Sequence, residues 1–522
     1  MITLSDKLTV LKDGRLLGEE EARATGTDIA QAKKNTLASR ILRAHSKASD
    51  RDSLLHITFD GLASHDITFV GIIQTARASG LKEFPVPYAL TNCHNSLCAV
   101  GGTINEDDHL FGLTAAQKYG GNYVPPNLAV IHQYVRETMA GCGRMILGSD
   151  SHTPTAGGIG MLGMGAGGLD VAVAMGGGTY YITMPKIIHI ELVGRLSDYV
   201  GAKDVILEVL RLLDVKGGVG AIIEYGGEGV KTLSVPQRAT ITNMGAELGA
   251  TSSLFPADEV TRAFLAAEER ESDFIPLAPD EDAVYDAVYT IDLSKLVPLA
   301  ACPHSPGNVR PVSELAGMAI NQVCIGSCTN SSMLDMLTVA AMLKGKTVHP
   351  DVSLSISPGS KQVYTMLAEC GALADLIAAG ARILECACGP CIGMGFSPKS
   401  GGVSLRTFNR NFEARSGTAD AKVYLVSPET AAASAIAGVF TDPRTLGKAP
   451  EITVPTHFRI NDNLIEMPAS PAEADAVVVE RGPNIKPIPV GKEPEKDLAC
   501  KLILKIGDNI TTDHIMPAGT KI

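Results

Sequence analysis

The chain has 522 residues, 45% of them apolar and 20% charged, which suits several buried cores and not an unstructured polypeptide. Its net charge of −12 argues against nonspecific binding to nucleic acid or to an anionic membrane, although a local arginine cluster in an acidic protein still binds small anions. Residues 1–7 (MITLSDK) lack the charged-then-apolar pattern of a signal peptide, no run of about 18 apolar residues occurs, and the 11 cysteines are scattered except for Cys386, Cys388 and Cys391; a cytoplasmic chain without a transmembrane helix is expected.

In chain order, short β-branched runs alternate with amphipathic stretches. The first predicted strand is 54–59, followed by a helix over 127–139, strands over 144–148 and 187–192, and helices over 202–213 and 332–343. Such alternation predicts α/β layers around mostly parallel sheets, with chemistry in loops at the carboxyl ends of strands. Composition breaks suggest α/β domains at 1–199, 200–312 and 313–445, then a linker over 446–495 rich in Pro, Ala and charge. A strand over 501–506 would open a further domain at 496–522, one begun and not completed.

Chemistry concentrates in a few segments. Cys388-Gly-Pro-Cys391 turns two sulfurs to one side; alone it reads equally as half a zinc site or a redox pair. The lone Cys328, in Gly-Ser-Cys-Thr-Asn after an apolar strand, adds a third thiol. Three thiolates are one short of a closed tetrahedral site, and an iron–sulfur cube with three protein ligands leaves one iron open as a Lewis acid. Gly148-Ser-Asp-Ser-His-Thr-Pro154 puts an acid, a hydroxyl and an imidazole at a strand end, suited to proton transfer or merely to a helix cap. Gly158-Ile-Gly-Met-Leu-Gly163 matches a dinucleotide fingerprint but lacks the direct strand-to-helix turn; these glycines are expected to let the backbone pass close to a cluster or substrate. Glu247 lies among small apolar residues and could pair with an imidazole, whereas His132 and His94 alone read as structural. Arg410 and Arg415 could clamp carboxylates bidentately or sit in a solvated loop.

Taken together, Ile131-His-Gln133, 148–154, 215–225, 242–251, 325–332, 387–393, Asn409-Arg-Asn-Phe412 and Thr511-Thr-Asp-His-Ile515 resemble the aconitase family of iron–sulfur hydro-lyases, in order and over nearly the whole chain. The resemblance implies three α/β domains around a [4Fe–4S] cluster, a linker and a fourth, swivelling domain. It implies Cys328, Cys388 and Cys391 as cluster ligands with Asn243 and Asn409 beside them. His132 with Asp150, and His152 with Glu247, would be imidazole–carboxylate pairs; Ser151, Arg410 and Arg415 would bind a small carboxylate substrate; His94 and Asp513 would also serve catalysis. In the family the carbon-bound proton goes to a serine of the fourth domain, so residues 1–522 alone are expected to turn over little without a further swivel-domain segment. Three departures bear on substrate: the family's Asp-His pair is Cys93-His94, its substrate-binding glutamine aligns near Val70, and an asparagine after Thr-Pro is Thr155. The first leaves His94 without a fixed negative charge beside it; the other two point to a substrate smaller or less polar than citrate. The resemblance also leaves isopropylmalate, homocitrate, methylcitrate or dimethylmalate as alternatives. An RNA-binding regulator and a structural zinc protein are the readings from other classes.

Overall fold

The computed structural model describes residues 3–5, 7–12, 14–48, 53–94, 102–460, 462–491, 495–508 and 510. Three large sheets carry it. The first is parallel, in the order Asn122–Val124, Tyr88–Thr91, Gly61–His65, Met145–Gly148, Leu162–Gly165. The second runs Thr3–Ser5, Ala287–Asp292, Lys186–Val193, Ala221–Gly226, Ser252–Leu254, antiparallel only at its first pairing. The third has seven strands: Val309–Pro311, Leu299–Ala301, Lys422–Val426, Val403–Arg406, Gln322–Ile325, Ser353–Ile356 and Arg382–Ile383, parallel from the third strand onward. The expected α/β class with mostly parallel sheets is what forms.

Side-chain alternation explains how the first two sheets join. Along the second sheet, Ile187 and its partner Ile222 face the core of the first sheet, while Ile188 and Ile223 face a separate core under the helix Ala202–Leu213. A strand apolar on both faces is the mark of a buried parallel sheet. Sheet membership does not coincide with the expected boundaries. Lys186–Val193 lies ahead of residue 200 yet sits mid-sheet in the second unit, and Leu299–Ala301 and Val309–Pro311 precede 313 yet extend the third.

Helices obey their local signals. Ser332 accepts the Asp335 N–H while Asp335 reaches back to the Ser332 N–H, so the helix Met333–Leu343 starts where the sequence predicts. Ala202–Leu213 matches its predicted span, but the helix expected from 127 begins only at Ile131, because Pro125, Asn127 and Leu128 form a turn first. One strand expectation is met and one is corrected. The strand expected over 54–59 forms as Leu54–Ile57, pairing antiparallel with Tyr180–Thr183 outside the first sheet, whose central strand is Gly61–His65. Residues 501–506 form no strand; among the described residues no neighbour pairs with them, and Ile503 is 89% exposed.

In both the first and third sheets the strand order reverses once. The reversal lies between Gly61–His65 and Met145–Gly148 in the first, and between Gln322–Ile325 and Val403–Arg406 in the third. At such a point the loops leave in opposite directions and open a crevice at the carboxyl ends. The two crevices face each other.

Candidate active site

One wall is built at the third sheet's crevice. Gln322–Ile325 runs into Gly326 and Ser327, and Ser327 adopts φ 68°, a left-handed turn that redirects the chain at Cys328. Opposite, the turn Gly389–Ile392 carries Cys391, with Cys388 just before it and within hydrogen-bond reach of Cys328. Ser327 Oγ lies 2.9 Å from Cys391 Sγ. The amides of Asn243 and Asn409 donate to Cys328 Sγ at 3.2 and 3.3 Å. Cys328 is held well below the usual thiol range by the Cys388 thiol, against burial and with help from His152 and His132. Burial pushes Cys391 up to about 11, and hydrogen bonding to Cys328 and Cys93 pushes Cys388 up as well. Of these three thiols, the one with the most donors is the one whose charged form is favoured.

The facing wall comes from the first sheet's crevice. His132 Nε2, on the helix Ile131–Thr138, lies 3.0 Å from Asp150 Oδ1. His152 Nε2 lies 2.8 Å from Glu247 Oε1, and its Nδ1 3.2 Å from Asp150 Oδ1. Burial and the Arg410 charge work against protonating His152, but hydrogen bonds to Asp150 and Glu247 prevail and raise it to about 9. Burial would raise Asp150; hydrogen bonding to His132, its charge, and His152 hold it well below the usual carboxylate range. Arg410 Nε donates to Glu247 at 2.9 Å and Nη2 to Ser151 Oγ at 2.9 Å. The buried Nε of Arg415 has no hydrogen-bond partner among the described residues. Burial, then repulsion from Arg410, lowers Arg415. The structure therefore brings together every expected site residue except Asp513, which lies outside the described residues.

Other expectations change. The Cys93 thiol stands 3.3 Å from His94 Nδ1, but a carboxylate is present after all: Asp66, whose two oxygens accept the His94 N–H at 3.0 and 3.3 Å. Val70 packs against the first core on the helix Phe69–Ala78 and takes no part in the site. The residue at the crevice is His65, its ring centroid 4.1 Å from that of His94 and its Nε2 3.6 Å from Asp150 Oδ2. Burial and the His94 charge push His65 down to about 3, so it stays neutral. Thr155 is buried; its hydroxyl donates to the His152 carbonyl and accepts from Asn243, so it braces the wall and does not face substrate. Nor do the glycines make room for a cluster. A Cβ on Gly157 would sit 1.9 Å from the Ser253 carbonyl oxygen, and one on Gly158 2.6 Å from the Ala239 nitrogen, so these glycines let two backbones touch. His65 and Asp66 escaped the sequence reading; the available signal was a His-Asp pair closing a run of small buried residues.

A profile of the aconitase family (aconitate hydratase) matches residues 39–438. The chain is 40% identical over 418 residues to 3-isopropylmalate dehydratase large subunit 2 of Archaeoglobus fulgidus, covering 78% of this chain and 99% of that one. It is 32% identical to the mitochondrial homocitrate dehydratase of Saccharomyces cerevisiae (93% of this chain, 70% of the relative) and 33% identical to the mitochondrial aconitate hydratase of Candida albicans (91% and 68%). The donor set suits the [4Fe–4S] cluster such enzymes carry: three thiols converge in a sheltered crevice, and amide N–H groups already point at Cys328. Family, thiol set and flanking acid–base wall agree that this chain belongs to the aconitase family of iron–sulfur hydro-lyases.

Proposed function

We propose that the chain reversibly dehydrates a hydroxy di- or tricarboxylic acid, with Cys328, Cys388 and Cys391 holding the cluster. When bound, the cluster supplies a Lewis-acidic iron that polarises the substrate's C–O bond. The protein's own groups do the rest. Arg410 and Arg415, with Ser151, hold substrate carboxylates; the unpartnered Arg415 Nε is a donor waiting for one. His152, gripped between Asp150 and Glu247, is the group placed to give a proton to departing hydroxide, with His132 and His94 around it. Asn243 and Asn409 steady the Cys328 sulfur. The carboxylates and imidazoles of this wall are engaged with one another, so the base that takes the carbon-bound proton comes from elsewhere. A swivel-domain segment, with Asp513 at its approach, would supply it. The observation that carries this reading is the convergence of two histidine–carboxylate pairs and an arginine on three thiols.

A second reading concerns the acid itself. The cavity of about 500 Å³ beside Ser151 is lined by Met164, Tyr180, Ile182, Ala246 and small residues, with no lysine or arginine among the described residues that line it. Arg410, which donates to Ser151, is the cation at its edge, and the apolar lining of Met164, Tyr180 and Ile182 favours an alkyl-substituted hydroxy-diacid over citrate. Free thiols at all ten described cysteines suit a reducing compartment, and we assign the cytoplasm. Among the described residues no helix is long and apolar enough to cross a membrane. The test is anaerobic reconstitution followed by a panel of citrate, homocitrate, isopropylmalate, methylcitrate and dimethylmalate. About four irons per chain and turnover of one acid are expected; one zinc with no iron, or no turnover with a swivel-domain segment supplied, would sink the proposal.

A further inference from the structure

We propose that Asp66 is the residue that positions His94 for the reaction, taking the place that the neighbouring Cys93 does not fill. The strand Gly61–His65 pairs with Tyr88–Thr91, and the register continues one residue further, because the Asp66 N–H donates to the Thr91 carbonyl. That extra rung carries the Asp66 carboxylate beneath the turn holding His94. Both its oxygens accept the His94 backbone N–H, and Oδ1 lies 3.6 Å from the His94 ring at Nδ1. The other ring nitrogen, Nε2, then faces the site, 3.9 Å from Asp150 Oδ2. A carboxylate on one imidazole nitrogen fixes the tautomer and aims the other at the reacting groups. Asp66 also reaches His109 Nε2 at 3.6 Å, on the helix Thr103–Tyr119. Its side chain is fully buried, and a buried carboxylate is retained only where it is paired. Cys93 stands closer to Nδ1 but is also directed at Cys388, and a thiol is a weak partner compared with a carboxylate.

The test compares Asp66→Asn, Asp66→Glu and Cys93→Ser in the full chain, with two readouts. In the first, ethoxyformylation of His94 is followed by mass spectrometry on the cluster-free protein. In the second, kcat and KM are measured on the reconstituted enzyme with a swivel-domain segment supplied. Asp66→Asn is expected to speed His94 labelling severalfold and to lower kcat about 10- to 100-fold with much less change in KM. Asp66→Glu should restore most of both, and Cys93→Ser should have the smaller effect. Unchanged labelling and kcat in Asp66→Asn, or the larger effect in Cys93→Ser, would overturn the assignment. If Asp66→Asn does not fold, labelling of Asp66→Glu decides: protection like the wild type supports the role, and labelling as fast as in the denatured chain refutes it. The turnover readout rests on the hydro-lyase reading; the labelling readout does not. A chain inert on every hydroxy acid but with His94 protected by Asp66 would fail the one and keep the other.

Discussion

Cys328 shows how much one residue depends on its neighbours. Its sulfur takes N–H donors from Asn243 in the second unit and Asn409 in the third, and the Asn243 amide is itself tied to Thr155 in the first. Hydrogen bonds to a thiolate ligand stabilise its charge, and losing one such outer partner typically costs about 10- to 100-fold in metal affinity. Asn409→Ala should therefore surrender iron to a chelator faster than the wild type; retention at the wild-type rate would show that this donor is dispensable. The thiols, the two histidine–carboxylate pairs and Arg410 were legible because each sits in a compact local motif. His65 and Asp66 were not. Gly-Leu-Ala-Ser-His lacks the β-branched bulk that marks a strand, since a central strand covered on both faces selects small residues by packing, which sequence periodicity does not report.

At the scale of elements, two contacts make predictions. The turn Thr153–Ile159 lies against the helix Val235–Met244 and the strand Ser252–Leu254 with no side chain between, and Phe255 N–H donates to the Gly157 carbonyl at 3.0 Å. Gly157→Ala forces a methyl into the Ser253 carbonyl and should cost about 3 kcal/mol or more, measurable by denaturant titration; a loss under about 1 kcal/mol would mean the turn yields easily. His45 caps the helix Leu37–Ala44, with Nε2 2.9 Å from Asp60, which in turn accepts the Met145 N–H. The Asp60 hydrogen bond raises His45 against the pull of burial; Asp60, raised by burial, is lowered more by His45 and the Met145 N–H. The raised histidine contributes below its ordinary 6.5 and loses that contribution as pH climbs through its folded value. The lowered aspartate contributes above 3.8 and loses it on acidification. His45→Gln should thus destabilise most between those limits, by up to about 1 kcal/mol for so exposed a pair, and least at alkaline pH. A penalty that grows above pH 8 would reverse the sign. The strand misassigned at 501–506 belongs to this scale too. Its apolar run is genuine, but a strand exists only by pairing, and the pairing partner is information that a segment does not contain.

Over the whole molecule, the site is assembled from three sheets whose crevices and helix ends meet, which explains why no contiguous stretch of sequence contains it. Sheet order, and with it the position of each crevice, depends on pairings between residues distant in sequence, such as Gly61 with Ile146 and Gln322 with Ser404, so the α/β class was legible while the topology was not. Residues 495–508 lie across the outside as exposed coil. Brief trypsin treatment should cut first at Lys496, Lys501 or Lys505 and leave a fragment that still binds iron; early cuts within 131–440 would contradict that order. The touching backbones at Gly157 and Ser253 also fix how the walls of the site are joined. The histidine wall and the Asn243–Glu247 wall meet without a rotamer between them to swing aside. The cysteine turn is fastened differently, by side chains: Arg406 donates to the Pro390 carbonyl at 2.6 Å and Asn127 Oδ1 accepts the Cys386 N–H at 2.9 Å. The histidine wall is thus joined through backbone contact and the cysteine turn through side-chain hydrogen bonds.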